Sequence, residues 1–422
     1  MSDFLTARRT RVAANLPLND ALLIVGAGRP VALPEISDQT YPFRSHAEYF
    51  YLTELECTEG IMAYDPRDGE WVSFVPAVTQ SERVWEGSTQ LEGCPLADFA
   101  SWLAGRFGRP VAQLGAPRPD IALDAELNKR IREYFHHARR AKDQHELELL
   151  RSACSATASG YHKLAQLIRP DISEREIQIE LEAEFFRAGA TQTGYSTIVG
   201  TGLNSAVLHF SPTSRRTRKG DFVLIDAGAA IGRYTADVTR TYVVDQPDPF
   251  QRDLYQIVLH AQERAISRCV AGAEWSHLHL ACAVEMVAGL VAMGVMRGSP
   301  TSLVEQEAHT LFFPHGLGHM VGLGVRDGSG LLPGRTKNPR PSLRTLRMDL
   351  PLEPGYVVTV EPGLYFIPPL LQDPSLRATY RDSVNWPLVD QYLQLGGVRI
   401  EDNILVTNGA PENLTAKIPK SL

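Results

Sequence analysis

The sequence predicts two mixed units, a smaller α/β domain over residues 1–143 and an α+β domain over residues 144–422. Three observations lead there: a length of 422 residues, ordinary globular usage with 44% apolar and 22% charged residues, and a change of pattern near residue 145. At about 100–200 residues per domain, two cores are expected. Composition of this kind argues against a disordered or fibrous chain. The net charge, 42 − 49 = −7, offers phosphate backbones no broad attraction and argues against a nucleic-acid partner.

Residues 21–25 form an apolar run closed by Gly26 and Gly28, the pattern of a strand and its exit. Residues 60–64 and 71–75 flank Asp65-Pro66-Arg67-Asp68-Gly69, where Pro presets φ and Gly accepts positive φ, so a hairpin is expected. Helical patterns follow over residues 96–106 and 123–134. Residues 136–148, HHARRAKDQHELE, are dense in charge and nearly free of large apolar side chains, and the domain boundary is placed there. Apolar steps of three and four through Leu147, Leu150, Cys154, Ala158 and Tyr161 then predict a helix. Another is expected over residues 174–188, starting after Asp171 and Ser173. From Phe222 onward, β-branched runs such as FVLID, YVVTVE and VRIEDNILV alternate with Gly and Pro, with helices between them.

Cys57, Cys94, Cys154, Cys269 and Cys282 are odd in number and scattered, so neither a disulfide framework nor a zinc-thiolate site is expected. Arg8 and Arg9 are followed by no apolar run of the kind a secretory signal needs. Residues 280–296 contain Glu285, Gly289 and Gly294 and fall short of the roughly 20 apolar residues a span requires, so a buried helix and no membrane partner are expected. These readings together predict a reducing, cytoplasmic setting.

The chemistry concentrates in the last half. In residues 221–244, two apolar strands flank Gly228 and Gly232. A reversal centred between Ile231 and Gly232 would set Asp226 opposite Asp237, with Cβ atoms about 4.5–5.5 Å apart, where like charges repel and call for something positive between them. HGLGH supplies His315 and His319 at a helical spacing, but Gly316 and Gly318 make a bent loop the better reading. TVEPG ends a strand on Glu361, and the period-2 alternation of GGVRIEDN puts Arg399 and Glu401 on one face with Val398 and Ile400 on the other. Singly, each has a plain structural reading. Together, Asp226, Asp237, His319, Glu361 and Glu401 give four carboxylates and one imidazole, which two divalent ions bring to formal neutrality. An oxygen-rich donor group of this kind suits Mn²⁺, Co²⁺ or Mg²⁺, with Zn²⁺ compatible, and points to metal-assisted hydrolysis.

Those segments also carry a family likeness. DAGAAIGRYTADVTRT, PHGLGHMVGLGV, TVEPGLYFIP and GGVRIEDN resemble, in order and spacing, the motifs of the pita-bread metallopeptidases: methionine aminopeptidase, aminopeptidase P and prolidase. FRSHAEYFYLTEL, residues 43–55, resembles the creatinase-type N-terminal domain of the latter two. The resemblance implies a pita-bread catalytic domain with Asp226, Asp237, His319, Glu361 and Glu401 as ligands of two divalent ions, manganese first. It implies Glu361 as general base, His209 and His315 as contacts to substrate and tetrahedral intermediate, and Arg399 as an arginine that orients active-site groups. It also implies a homodimer. Tyr234, beside the hairpin acids, reads as structural as readily as functional. Arg347, in SLRTLR, matches the prolidase arginine that reads the carboxylate of an Xaa-Pro dipeptide, and the segments around residues 364–373 and 385–403 look more like prolidase than aminopeptidase P. One departure is Arg326, where the family usually has histidine: a permanent cation able to bind a substrate carboxylate but not to exchange a proton. The expectation is therefore an Xaa-Pro dipeptidase. The alternatives are an Xaa-Pro aminopeptidase acting on longer peptides, a creatinase-like C–N hydrolase and a catalytically inert peptide-binding relative. The full complement of acids speaks against the last two.

Overall fold

The computed structural model describes residues 3–34, 39–164 and 166–422. The chain divides into two compact units, Met1–Ala138 and Arg139–Leu422, five residues earlier than the boundary expected from sequence. In the first unit a five-stranded sheet runs in the order Cys94–Pro95, Glu70–Val75, Ile61–Asp65, Leu22–Gly26, Val111–Gly115, antiparallel in the middle and parallel at both edges. Its apolar face buries Ile24, Ile61, Ala63 and Phe74 against Phe99 of the helix Phe99–Ala104. Asp65 closes the hairpin turn, accepting a two-pronged bond from Arg109 at 2.8 Å on each oxygen and another from Arg106. That pairing holds the Asp65 carboxyl well below the usual carboxylate range.

The second unit contains two helix-on-sheet cores. Helices Gln144–Leu164 and Glu174–Arg187 lay Tyr161, Leu164, Ile177, Leu181 and Phe185 against Val199, Val223 and Ile225 of a sheet ordered Thr239–Val243, Phe222–Asp226, Ile198–Thr201. Helices Pro249–Ser267 and Trp275–Ala292 lay Leu254, Val258, Met286 and Leu290 against Val358, Val360 and Ile404. Trp275–Ala292 is long and apolar enough to cross a membrane by length and composition, yet it packs Leu278, Cys282, Met286 and Leu290 into this core. All five cysteines are free, and all but Cys94 are buried.

The central hairpin departs from its expected register. Asp226 pairs with Thr239, not with Asp237, and Ile231 pairs with Tyr234. The reversal is a two-residue turn at Gly232 and Arg233, both at positive φ (54° and 69°), the geometry whose twist suits tight hairpins. A non-glycine residue adopts left-handed backbone there, so glycine spacing alone put the centre one residue too early. Asp226 and Asp237 still share a face, two residues offset. Gly228 lies opposite Asp237, and the strands run so close that a Cβ on Gly228 would sit 1.8 Å from the Ala236 carbonyl oxygen. The Tyr161 hydroxyl, reaching from the first helix, donates to the Val238 carbonyl at 2.6 Å and fixes this stretch from behind.

The charge-rich segment near residue 140 turns much of its charge inward. Arg139, Arg140, Lys142 and Glu146 are buried. Arg139 and Lys142 grip the fully buried Asp327 at 2.6 and 2.9 Å, and the Leu323 N–H donates to the same carboxylate at 3.0 Å. Tyr234 is buried and donates to Glu146 at 3.0 Å, which gives it a structural role.

Candidate active site

A cavity of about 480 Å³ in the second unit gathers every site residue expected from sequence: Asp226, Asp237, His319, Glu361, Glu401, His209, His315, Arg399, Arg326 and Arg347 all line it. Each acid or imidazole is aimed by a local device. Asn403 brackets Asp237, accepting its N–H at 2.9 Å and donating to its carbonyl at 2.6 Å. Glu401 lies between the strands Gly397–Arg399 and Asp402–Leu405, and its carboxylate accepts from the Thr239 hydroxyl at 2.6 Å. Glu361 follows the strand Val357–Val360 and accepts from the Thr359 hydroxyl at 3.2 Å. His319 sits in irregular backbone, as the glycines predicted. A Cβ on Gly318 would lie 2.1 Å from the Thr359 carbonyl oxygen, which is how close the loop runs to that strand.

The tautomer of His319 follows from its partner. Nδ1 lies 3.0 Å from the Met320 carbonyl, which can only accept, so Nδ1 carries the proton. Nε2 is left facing Asp237 Oδ2 at 3.4 Å and Glu361 Oε1 at 3.6 Å. A histidine whose far nitrogen is pinned by a carbonyl while the near one faces carboxylates is the usual arrangement around a metal ion. Asp237, His319 and Glu401 each offer a donor atom, all within 4.8 Å of one another. Asp226 stands beside them with its oxygens engaged at 2.6 Å each by the Tyr195 hydroxyl and by Arg399 Nη2. Burial, with the neighbouring acids adding to it, pushes the Glu401 carboxyl well above its ordinary value and raises Glu361 and Asp226 against the pull of Arg399. This donor chemistry fits divalent cations.

Two residues that sequence reasoning missed complete the polar wiring. Arg399 donates through Nη1 to the Tyr365 hydroxyl (2.9 Å) and through Nε to Thr239 Oγ1 (3.1 Å). Tyr365 in turn lies 2.9 Å from His315 Nε2, while His315 Nδ1 lies 2.9 Å from the Gly316 carbonyl. Nδ1 must donate to that carbonyl, so Nε2 accepts from Tyr365 and neutral His315 has no N–H left to offer. Burial, reinforced by Arg399, brings the His315 pKa down to about 3, which keeps it neutral. His209 differs: burial and then Arg399 lower its pKa, but no hydrogen bond engages its ring among the described residues. Tyr365 was findable, since period 2 from Glu361 through Gly363 reaches it. Tyr195 lies outside any strand or motif and carried no signal.

The comparisons with known proteins agree with this architecture. Residues 148–408 match metallopeptidase family M24, and residues 5–93 match the aminopeptidase P N-terminal domain. A protein of Tuber melanosporum described as a probable Xaa-Pro aminopeptidase is 31% identical over 413 residues, spanning 94% of this chain and 89% of its own. An Aspergillus fumigatus protein of the same description is 31% identical over 445 residues, spanning 96% and 89%. Among solved structures, zinc-substituted E. coli aminopeptidase P in complex with product has a TM-score of 0.80 at 26% identity, covering 99% of this chain and 95% of that one. Pseudomonas aeruginosa aminopeptidase PepP gives 0.79 at 26%, with the same coverage. The likeness extends over both units, and the second has the pita-bread architecture expected of a metal-dependent peptidase. By sequence match and by shared fold, this chain belongs to metallopeptidase family M24.

Proposed function

We propose that the chain is an Xaa-Pro aminopeptidase, hydrolysing the bond before a proline that is followed by further residues. The observation that carries this is the convergence of five acid and imidazole side chains in one cavity, in a chain alike over nearly its whole length to proteins described as Xaa-Pro aminopeptidases. Those relatives favour the longer-peptide activity over the dipeptidase expected from sequence. Asp226, Asp237, His319, Glu361 and Glu401 would hold two divalent ions, manganese first and cobalt or zinc next, because oxygen donors dominate. Ions bound there lower the pKa of water and polarise the scissile carbonyl.

The remaining chemistry falls to the chain. Glu361 takes the proton from the attacking water and delivers it to the proline nitrogen as the C–N bond breaks. His209, with its ring unengaged, donates to a substrate carbonyl oxygen on binding and keeps that bond through the tetrahedral intermediate, so it holds ground state and transition state alike. His315 instead orients Tyr365, Tyr365 steadies Arg399, and Arg399 fixes Asp226. We further assign a homodimer, on family likeness, and a cytoplasmic setting, on five free thiols. The boundary at 143/144 is kept as the functional division between N-terminal and catalytic domains.

Arg326 and Arg347 favour the second reading, an Xaa-Pro dipeptidase. Both are exposed side chains lining the cavity, and no acidic side chain forms an ion pair with either among the described residues. A free carboxylate directly after proline would satisfy them. Hydrolysis of Ala-Pro-Ala, Ala-Pro and Ala-Ala by protein loaded with manganese, cobalt or zinc separates the readings. Preference for Ala-Pro-Ala is expected, preference for Ala-Pro reverses the assignment, and inertness on all three removes it.

A further inference from the structure

We propose that Glu174 is a positioning residue for the reaction, clamping the loop of residues 201–213 from which His209 enters the cavity. Glu174 opens the helix Glu174–Arg187, where an acid is ordinarily a solvated partner of the helix dipole. Glu176 supplies that favourable charge here and closes a capping box with Ser173. The Glu174 side chain turns away from the helix end and is fully buried. Its Oε1 accepts from the Thr201 N–H at 3.0 Å, the Thr201 hydroxyl at 2.8 Å and the Asn204 amide at 2.9 Å. Its Oε2 accepts from the N–H and hydroxyl of Thr213, at 3.0 and 2.6 Å. Both ends of the loop therefore close on one carboxylate, and five donors satisfy a charge that burial would otherwise penalise.

Between those ends, Leu208, His209, Phe210 and Ser211 line the cavity. The base of the loop is also fastened to the strand that carries Arg399. Ser205 donates to the Gly202 carbonyl at 2.6 Å and accepts the Gly397 N–H at 2.8 Å, and Gly396 lies so near that a Cβ there would be 2.2 Å from Ser205 Oγ. A loop tied at both ends and at its base has lost its freedom before substrate arrives, which is the condition for a histidine on it to meet a carbonyl in one orientation. Loosening the clamp disperses His209 and leaves the acids of the metal site where they are.

This inference rests on the reading that His209 touches the substrate, and the test separates the two. Glu174→Gln keeps one carbonyl oxygen but cannot accept at both ends of the loop. In metal-loaded protein it is expected to raise KM for Ala-Pro-Ala about 10-fold while kcat stays within about threefold, because binding geometry and not the proton-transfer residue is disturbed. Amide exchange is expected to rise within residues 201–213 and nowhere else. Unchanged KM and unchanged loop exchange overturn the proposal, and so does a uniform rise in exchange across the unit with kcat and KM failing together. If Glu174→Gln does not fold, Thr213→Val, which removes the hydroxyl's bond to Glu174 and the one it accepts from the Arg215 N–H, is expected to move KM and loop exchange in the same direction by less, and no movement overturns the proposal. If the unmodified protein cleaves no Xaa-Pro peptide, the functional reading falls, and loop exchange in Glu174→Gln still decides the clamp.

Discussion

Glu401 and Asp402 are consecutive, both buried, and opposite in kind. Asp402 is wrapped by partners: Arg240 Nη2 and the Thr415 hydroxyl at 2.8 Å on one oxygen, with Gln262 at 2.9 Å, Asn413 at 3.1 Å and Lys420 on the other. Burial alone would raise its carboxyl, but Arg240 and Lys420 overcome that and hold it well below the carboxylate range. Glu401 has one hydroxyl donor and three acids for company, and its carboxyl is pushed far the other way. The strand alternation sends one residue to a closed structural cluster and the next to a cavity whose charge is incomplete without cations. Burial of an acid therefore says little about its role, whereas the balance of charge around it says a great deal.

The sharpest way to break this contrast is catalytic. Glu361→Gln is expected to lower kcat by about 10²–10⁴-fold on Xaa-Pro substrates with metal bound, the usual value of a positioned acid–base group; steady-state kinetics with metal content measured alongside would decide it. Next comes stability. Asp402→Ala strands Arg240 and is expected to cost about 3–5 kcal/mol, whereas Glu401→Gln in chelator-treated protein, which relieves repulsion, is expected to leave stability within about 1 kcal/mol or raise it. The denaturant midpoint should fall clearly for Asp402→Ala and should hold or rise for Glu401→Gln.

The first unit offers a control with no metal in question. Asp65 is held low chiefly by the Arg109 hydrogen bonds, so its contribution is present above the unfolded carboxylate pKa of about 3.9 and is lost as pH falls through the lower folded value. Asp65→Asn is expected to cost about 1–3 kcal/mol at pH 7, with the deficit shrinking below about pH 4. A Tm difference that stays constant between pH 7 and pH 3 would refute this. The smallest effect is that of Tyr365→Phe, which severs the link between His315 and Arg399 and is expected to reduce kcat by about 3–10-fold, equivalent to about 0.7–1.4 kcal/mol, with KM little changed.

The same contrast between local pattern and distant partners explains which features are legible in sequence. The ligand candidates announce themselves because each sits at a strand end or a glycine-rich bend, where local pattern is informative. The register of Asp226 and Asp237 is misjudged from sequence because Arg233 takes a backbone conformation that its residue type disfavours. The charge at residues 136–148 marks a boundary but gives no sign of the buried cluster it forms, because the partner of Arg139 and Lys142, Asp327, lies some 185 residues away, and sequence patterns do not report such distant pairings. Separation likewise hides Asn403 behind Asp237, 166 residues away, while Glu174 meets the ends of the His209 loop 27 and 39 residues on, beyond the reach of any helix or strand period. Aminopeptidase and dipeptidase substrates differ in whether the proline carbonyl ends in a free carboxylate or continues into another peptide bond, and two exposed arginines do not by their spacing select between them.

Gly228 has one last implication. With no room for even a methyl group between its strand and Ala236, the gap separating Asp226 from Asp237 is governed by main-chain contact and not by flexible side chains. The hairpin then acts as a fixed gauge for its two acids: their Cα atoms cannot drift apart or together without moving main chain, and only the carboxylate rotamers are left to adjust.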